Sequence, residues 1–87
     1  MQEIYLYMVI TMNSKILKAL EVLQEKRISI QYKEIVDLLN EDANITCFVN
    51  KSINSIRIYN NKYNCHIYNI FFSELNDKII IERIVSL

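Results

Sequence analysis

Glycine, proline and tryptophan are absent from the 87 residues, histidine occurs once and cysteine twice. Without glycine there is no Gly-rich loop to cradle a phosphate. His66 is the single histidine, so even Cys47, Cys65 and His66 together lack a fourth zinc ligand of the usual type. Two cysteines are too few for a disulfide scaffold. Cys47 and Cys65 read as small buried hydrophobes, with a bridge between them as the other reading, one that suits a virus or a hyperthermophile. The acidic pairs Glu41 with Asp42 and Glu74 with Asp77 fall in turn-like stretches and read as solvated charges, and no nucleophile has a base at hand. The expectation is a protein that is not an enzyme and needs no metal or cofactor.

An excess of either charge is also lacking. Ten Lys plus Arg balance ten Asp plus Glu, which argues against indiscriminate nucleic-acid binding driven by total charge. No long apolar run is present. The first eleven residues, MQEIYLYMVIT, are too short to span a membrane and lack the basic start and small-residue cleavage site of a signal peptide. The expected location is the cytoplasm, with no membrane contact. Met12, just before a helix cap, reads as a candidate alternative start.

What the chain does have is 52% hydrophobic residues, enough for one ordered domain with one core. Sixteen Ile, ten Asn and six Tyr are residues with AT-rich codons, and they point to an AT-rich genome, archaeal, viral or parasitic.

Residues 3 to 11 are rich in β-favouring types and apolar on both sides, so as a strand they need cover on both faces. Residues 13 to 27 predict a helix, capped by Asn13 or Ser14, with Ile16, Leu20 and Leu23 at helical spacing. A short strand-like link follows at 28 to 30. YKEIVDLLN predicts a second helix, although Gln31 stands where a capping Ser or Thr belongs. After the turn EDAN a third helix is expected from about Ile45, because Ile45, Phe48, Val49, Ile53 and Ile56 fall on one side at 100° per residue. The last 22 residues read as a β-hairpin turning at Asn76 and Asp77, with Tyr68, Ile70, Phe72, Ile79, Ile81 and Val85 on one face.

On such a third helix Asn50, Asn54, Arg57 and Asn61 stand at i, i+4, i+7 and i+11, in one stripe roughly opposite the apolar side. Asn pairs with the adenine edge and Arg with guanine in a major groove, while Lys51 and Lys62 on a flank can meet phosphates. Residues 43 to 73 contain no Asp or Glu but include Lys51, Arg57 and Lys62, whereas residues 1 to 42 hold seven acids against five bases. The stripe reads as a DNA-contacting face, or else as the ordinary solvated outside of an amphipathic helix.

The stretch ISIQYKEIVDLLN, a short strand followed by an aromatic, an acid and a Leu-Leu pair before the turn, resembles the winged helix-turn-helix family of small archaeal and viral transcription regulators. The resemblance spans residues 13 to 87. It departs from the family in a turn without glycine, a weakly charged wing and the extra residues 1 to 12. It implies an α+β fold of three helices with a C-terminal β-hairpin wing; the N-terminal strand-like segment at 1–12 is expected in addition to it. It implies a sequence-specific regulator of double-stranded DNA whose third helix reads the major groove. Residues 3 to 11, apolar on both sides, need cover that a partner chain can give. A homodimer is therefore expected in which they, with the first helix or the hairpin's outer face, form much of the interface; the other reading is a monomer in which they add a strand to their own sheet. The other function such folds serve is that of a protein–protein interaction module in a replication, transcription or virion complex.

Overall fold

The computed structural model describes residues 12–87. The strand and the dimer contact expected within residues 3 to 11 lie outside the described residues.

Helix α1, Ser14–Glu25, begins where Asn13 folds its side chain back to accept the Lys15 amide (2.9 Å), which satisfies one of the otherwise free first-turn donors. Its apolar stripe buries Ile16 and Leu20. A two-residue strand, β1 (Ile30–Gln31), leads into helix α2, Tyr32–Asn40, whose N-cap Gln31 makes no side-chain capping bond. Helix α2 is therefore held by packing, through fully buried Ile35 and Leu39. Asp42 then ties the two helices together by accepting the Asn13 and Asn44 amides at 3.1 and 2.9 Å.

No third helix follows. Residues 45 to 60 form two strands, β2 (Ile45–Asn50) and β3 (Ser55–Asn60), joined by a turn at 51 to 54. This overturns the three-helix architecture and, with it, the winged-helix reading. The physical reason lies in two competing periods. Ile45, Phe48, Val49, Ile53 and Ile56 do fit a helical face, but SIRIYN alternates polar and apolar at period two, and the segment is dense in β-branched and aromatic residues. Asn54, at φ 50°, reverses the chain where a helix would have had to continue.

Two longer strands complete the sheet, β4 (Cys65–Leu75) and β5 (Lys78–Ser86). They turn at Asn76 and Asp77, both at positive φ (53° and 66°), as a two-residue hairpin loop requires. The hairpin is not a wing. In the antiparallel order β1-β5-β4-β3-β2, strand β4 lies at the centre. Both helices pack on the same face, α1 against β5 and α2 against β2. Ile56, Ile58 and Ile70 meet Leu20, Ile35 and Leu39 there with no exposed surface, and Met12 is buried among them. Each such side chain contributes about 1.5–3 kcal/mol relative to exposure. Two bulges shift the register: Ile67 of β4 is the extra residue opposite Ile58 and Tyr59, and Glu82 of β5 is the extra residue opposite Phe71 and Phe72. The second moves Val85 off the core face and puts Ile84 on it, opposite Ile70.

Candidate nucleic-acid interface

The six residues of the expected DNA-reading stripe are not one surface. Asn50, Lys51 and Asn54 belong to the β2–β3 turn region, Arg57 to the middle of β3, and Asn61 and Lys62 to the opposite end of the sheet. Most are engaged locally. Asn50 Oδ1 accepts from the Ser52 amide and hydroxyl (3.2 and 2.6 Å). The Asn54 carbonyl accepts the Phe72 amide (3.0 Å). Asn61 Oδ1 accepts from the Thr46 hydroxyl (2.9 Å). Lys51 Nζ lies 4.9 Å from the Tyr32 ring centre and Lys62 Nζ 5.5 Å from that of Tyr63. Without a helix at this place, the major-groove role given to it has no structural basis.

The face of the sheet away from the helices carries a different constellation. Alternation along each strand sends every second residue to that side, and the strand register lines them up in rows. One row is Thr46, Tyr59 and His66; the next is Phe48, Arg57, Asn69 and Val85; the third is Asn50, Ser55, Phe71 and Arg83. Among the described residues no helix covers these rows.

Three rings from three neighbouring strands meet there edge to face. Tyr59 and His66 have centroids 5.0 Å apart, and Phe48 lies 6.2 Å from each. Phe48 keeps 53% of its surface exposed, an unusual state for a phenylalanine in a small domain. Arg57 stands beside Phe48 and His66, and an open groove of about 500 Å³ runs between them and Asn50. Further along, the Arg83 guanidinium lies 4.5 Å from the centre of the Phe71 ring, a cation–π arrangement. Asn69, between Arg57 and Val85, has an enclosed side-chain oxygen with no hydrogen-bond partner among the described residues. Such an acceptor costs roughly 1–3 kcal/mol until a donor reaches it.

Charge on this face is one-sided near the rings. The residues from 43 to 73 hold no carboxylate. The acid nearest these rows along the chain is Glu82, in β5, where Arg27 reaches it from the end of α1 at 3.1 and 3.2 Å and the Ser73 hydroxyl donates to it at 2.8 Å. Those bonds hold the Glu82 carboxyl below its usual range, with Arg27 the larger cause.

Of the residues expected to meet DNA, Asn50 and Arg57 stand on this side of the sheet, beside Phe48, which the helical period puts on an apolar core side instead. Arg57 and Tyr59 alternate at period two and pair with Phe48 and Thr46 on the same face, whereas His66 and Phe71, five residues apart, share that face only because Ile67 is an extra residue between them.

The cysteines are free and half-buried on β2 and β4, with β3 between them. Strands two places apart are about 10 Å distant, beyond the reach of a disulfide. Burial pushes the Cys47 thiol up from its ordinary value. Among the described residues no group of three His, Cys, Asp or Glu side chains can hold a metal ion, and no helix is long and apolar enough to cross a membrane.

The described residues thus define a class by shape alone, a five-stranded antiparallel sheet backed by two helices, with an aromatic and basic outer face. No protein family, no curated protein and no solved structure matches the chain.

Proposed function

We propose that the protein binds nucleic acid through the outer face of its sheet, as part of a regulatory or replicative function rather than a catalytic one. The observation that carries this is the exposed Phe48–Tyr59–His66 cluster with Arg57 beside it, all within residues 43 to 73, a stretch that carries no acid. Aromatic planes take bases and guanidiniums take phosphates, and the two kinds of group stand side by side here. A fluorescence-polarisation titration of the whole protein against labelled oligonucleotides tests it. Saturable binding that weakens about 5- to 100-fold in Arg57→Ala is expected. No binding to any oligonucleotide at tens of micromolar overturns it.

A second reading, a protein-interaction module or homodimer, is favoured by one feature. Among the described residues strand β2 is an open edge of the sheet, and it bears no charge, no proline and no bulge against β3, the usual devices that keep edges from pairing. Light scattering on the parent and on Val49→Lys tests that reading. A dimer that the lysine dissolves supports pairing through β2.

A further inference from the structure

We infer that the nucleic acid held on this face is single-stranded, with its bases stacked on Phe48, Tyr59 and His66 and its backbone following Arg57 and Arg83. The inference rests on the nucleic-acid reading above and specifies which form is bound.

Three features of the sheet lead there. The first is width. Strands β2 to β5 run side by side, and at the usual strand spacing the four span about 14 Å before side chains are added. A duplex major groove is about 12 Å wide and admits a helix or a two-stranded ribbon. A sheet presented face-on does not enter it.

The second is the chemistry of the contact groups. Exposed rings gain by covering the flat face of another π system, and in a duplex the base faces are already covered by their neighbours. Only unpaired bases can offer them. The rings are not merely packed against one another. Phe48 meets Tyr59 at 89° and His66 at 68°, and Tyr59 meets His66 at 75°. Each edge-to-face contact covers one face of one ring and leaves the remaining faces of the pair free, and Phe48 is more than half exposed. Rows two residues apart lie about 7 Å from one another, which suits successive bases that have been drawn out of their own stack.

The third is charge complementarity. Arg57 lies between the Tyr59 row and the Phe71 row, and Arg83 lies across Phe71. A backbone crossing these rows meets two guanidiniums. The one carboxylate in that part of β5, Glu82, is already bonded to Arg27 and Ser73. A chain held by stacking needs few cations, which fits a protein with no net charge.

The test uses the full chain and three labelled probes: a mixed-sequence single-stranded DNA oligonucleotide, the RNA of the same sequence, and the DNA duplex. Either single strand is expected to bind at least about tenfold tighter than the duplex, with Phe48→Ala and Tyr59→Ala each weakening it roughly 5- to 100-fold. Tyr59→Phe, which keeps the ring, is expected to bind like the parent. Phe48→Leu, which keeps the bulk but not the π face, is expected to weaken binding as Phe48→Ala does; circular dichroism confirms that each variant is folded. Duplex binding equal to or tighter than single-strand binding overturns the inference and leaves the broader nucleic-acid reading standing. So does single-strand binding that folded Phe48→Ala and Tyr59→Ala leave unchanged. Absence of binding to all three probes overturns both.

Discussion

At the scale of single residues, the abundance of asparagine has a structural use in a chain without glycine. Among the described residues five have positive φ: Arg27, Asn54, Asn64, Asn76 and Asp77. Asparagine and aspartate tolerate this region because their short side chains bond locally, where most residues crowd the following carbonyl. Other asparagines cap: Asn13 starts α1, and Asn60 Oδ1 accepts the Tyr63 amide at 3.0 Å. Ala in place of Asn76 is expected to cost about 1 kcal/mol and Gly to cost less or nothing, measured as the shift in urea midpoint. Equal losses would place the effect in the side chain's own bonds. Arg27 is the unusual member. It closes α1 with its amide donating to the Gln24 carbonyl (3.2 Å) and the Ile28 amide to that of Leu23 (3.1 Å), a helix ending that glycine normally serves. Arg27→Ala loses the pair with Glu82 and keeps the backbone cost, so it is expected to be less stable than Arg27→Gly. Burial of Cys47 is a further residue-scale property. With its thiol pushed up, the reactive thiolate is scarce at neutral pH. In a Cys65→Ser variant, Cys47 is expected to alkylate much more slowly in the native protein than in urea; equal rates would show that it is not sheltered.

At the scale of elements, both helices, the strand-like link and the hairpin turn at Asn76–Asp77 were legible in the sequence, because each has a signal without a competitor. Helix α1 has a cap and a four-residue repeat, and YKEIVDLLN matches α2 from end to end. The segment from 45 to 60 was not legible as strands, because five apolar residues satisfied the helical period over the same span. The decision lies in tertiary structure: as strands, β2 and β3 hand Ile45, Ile56 and Ile58 to the core, and β3 pairs with β4. The same misreading scattered the candidate site. Asn50 and Arg57 do share the outer face, whereas Asn54 and Asn61 serve turns. One inter-element link can be tested by pH. The folded-state pKa of Glu82 is depressed by Arg27 and then by Ser73. The folded state therefore holds its charge more readily than the unfolded chain, and the benefit is present above the ordinary carboxylate range, about 4.3. It is lost as pH falls through the depressed value. Urea midpoints are expected to drop less between neutral pH and pH 3 in Glu82→Gln than in the parent; identical profiles would show that the Arg27–Glu82 link does not contribute.

At the scale of the whole molecule, charge is balanced in total but not in place. Carboxylates gather on α1, α2 and the turn after α2, while the outer face holds Arg57 and Arg83. With two guanidiniums at the contact, the logarithm of the affinity for a single strand is expected to fall with the logarithm of salt at a slope of about −1 to −2. A much steeper slope would mean that many more phosphates are bound than this face can meet, and would move the interface elsewhere.

The strand order also sets a timetable for folding. Strands β2 to β5 are neighbours in both sequence and space, joined by short turns, and can zip up one after another. Strand β1 and helix α1, by contrast, find their partner in β5, with Ile30 opposite Ile79. Closing that long loop costs entropy that only a formed sheet repays. In stopped-flow experiments Ile58→Val is expected chiefly to slow folding, and Ile16→Val chiefly to speed unfolding; the reverse pattern would mean that the helices dock first. On the ribosome the consequence is sharper. The helices emerge early, yet the strand on which α1 rests is the last described element to leave the exit tunnel, so the apolar side of α1 waits uncovered through most of the chain's synthesis.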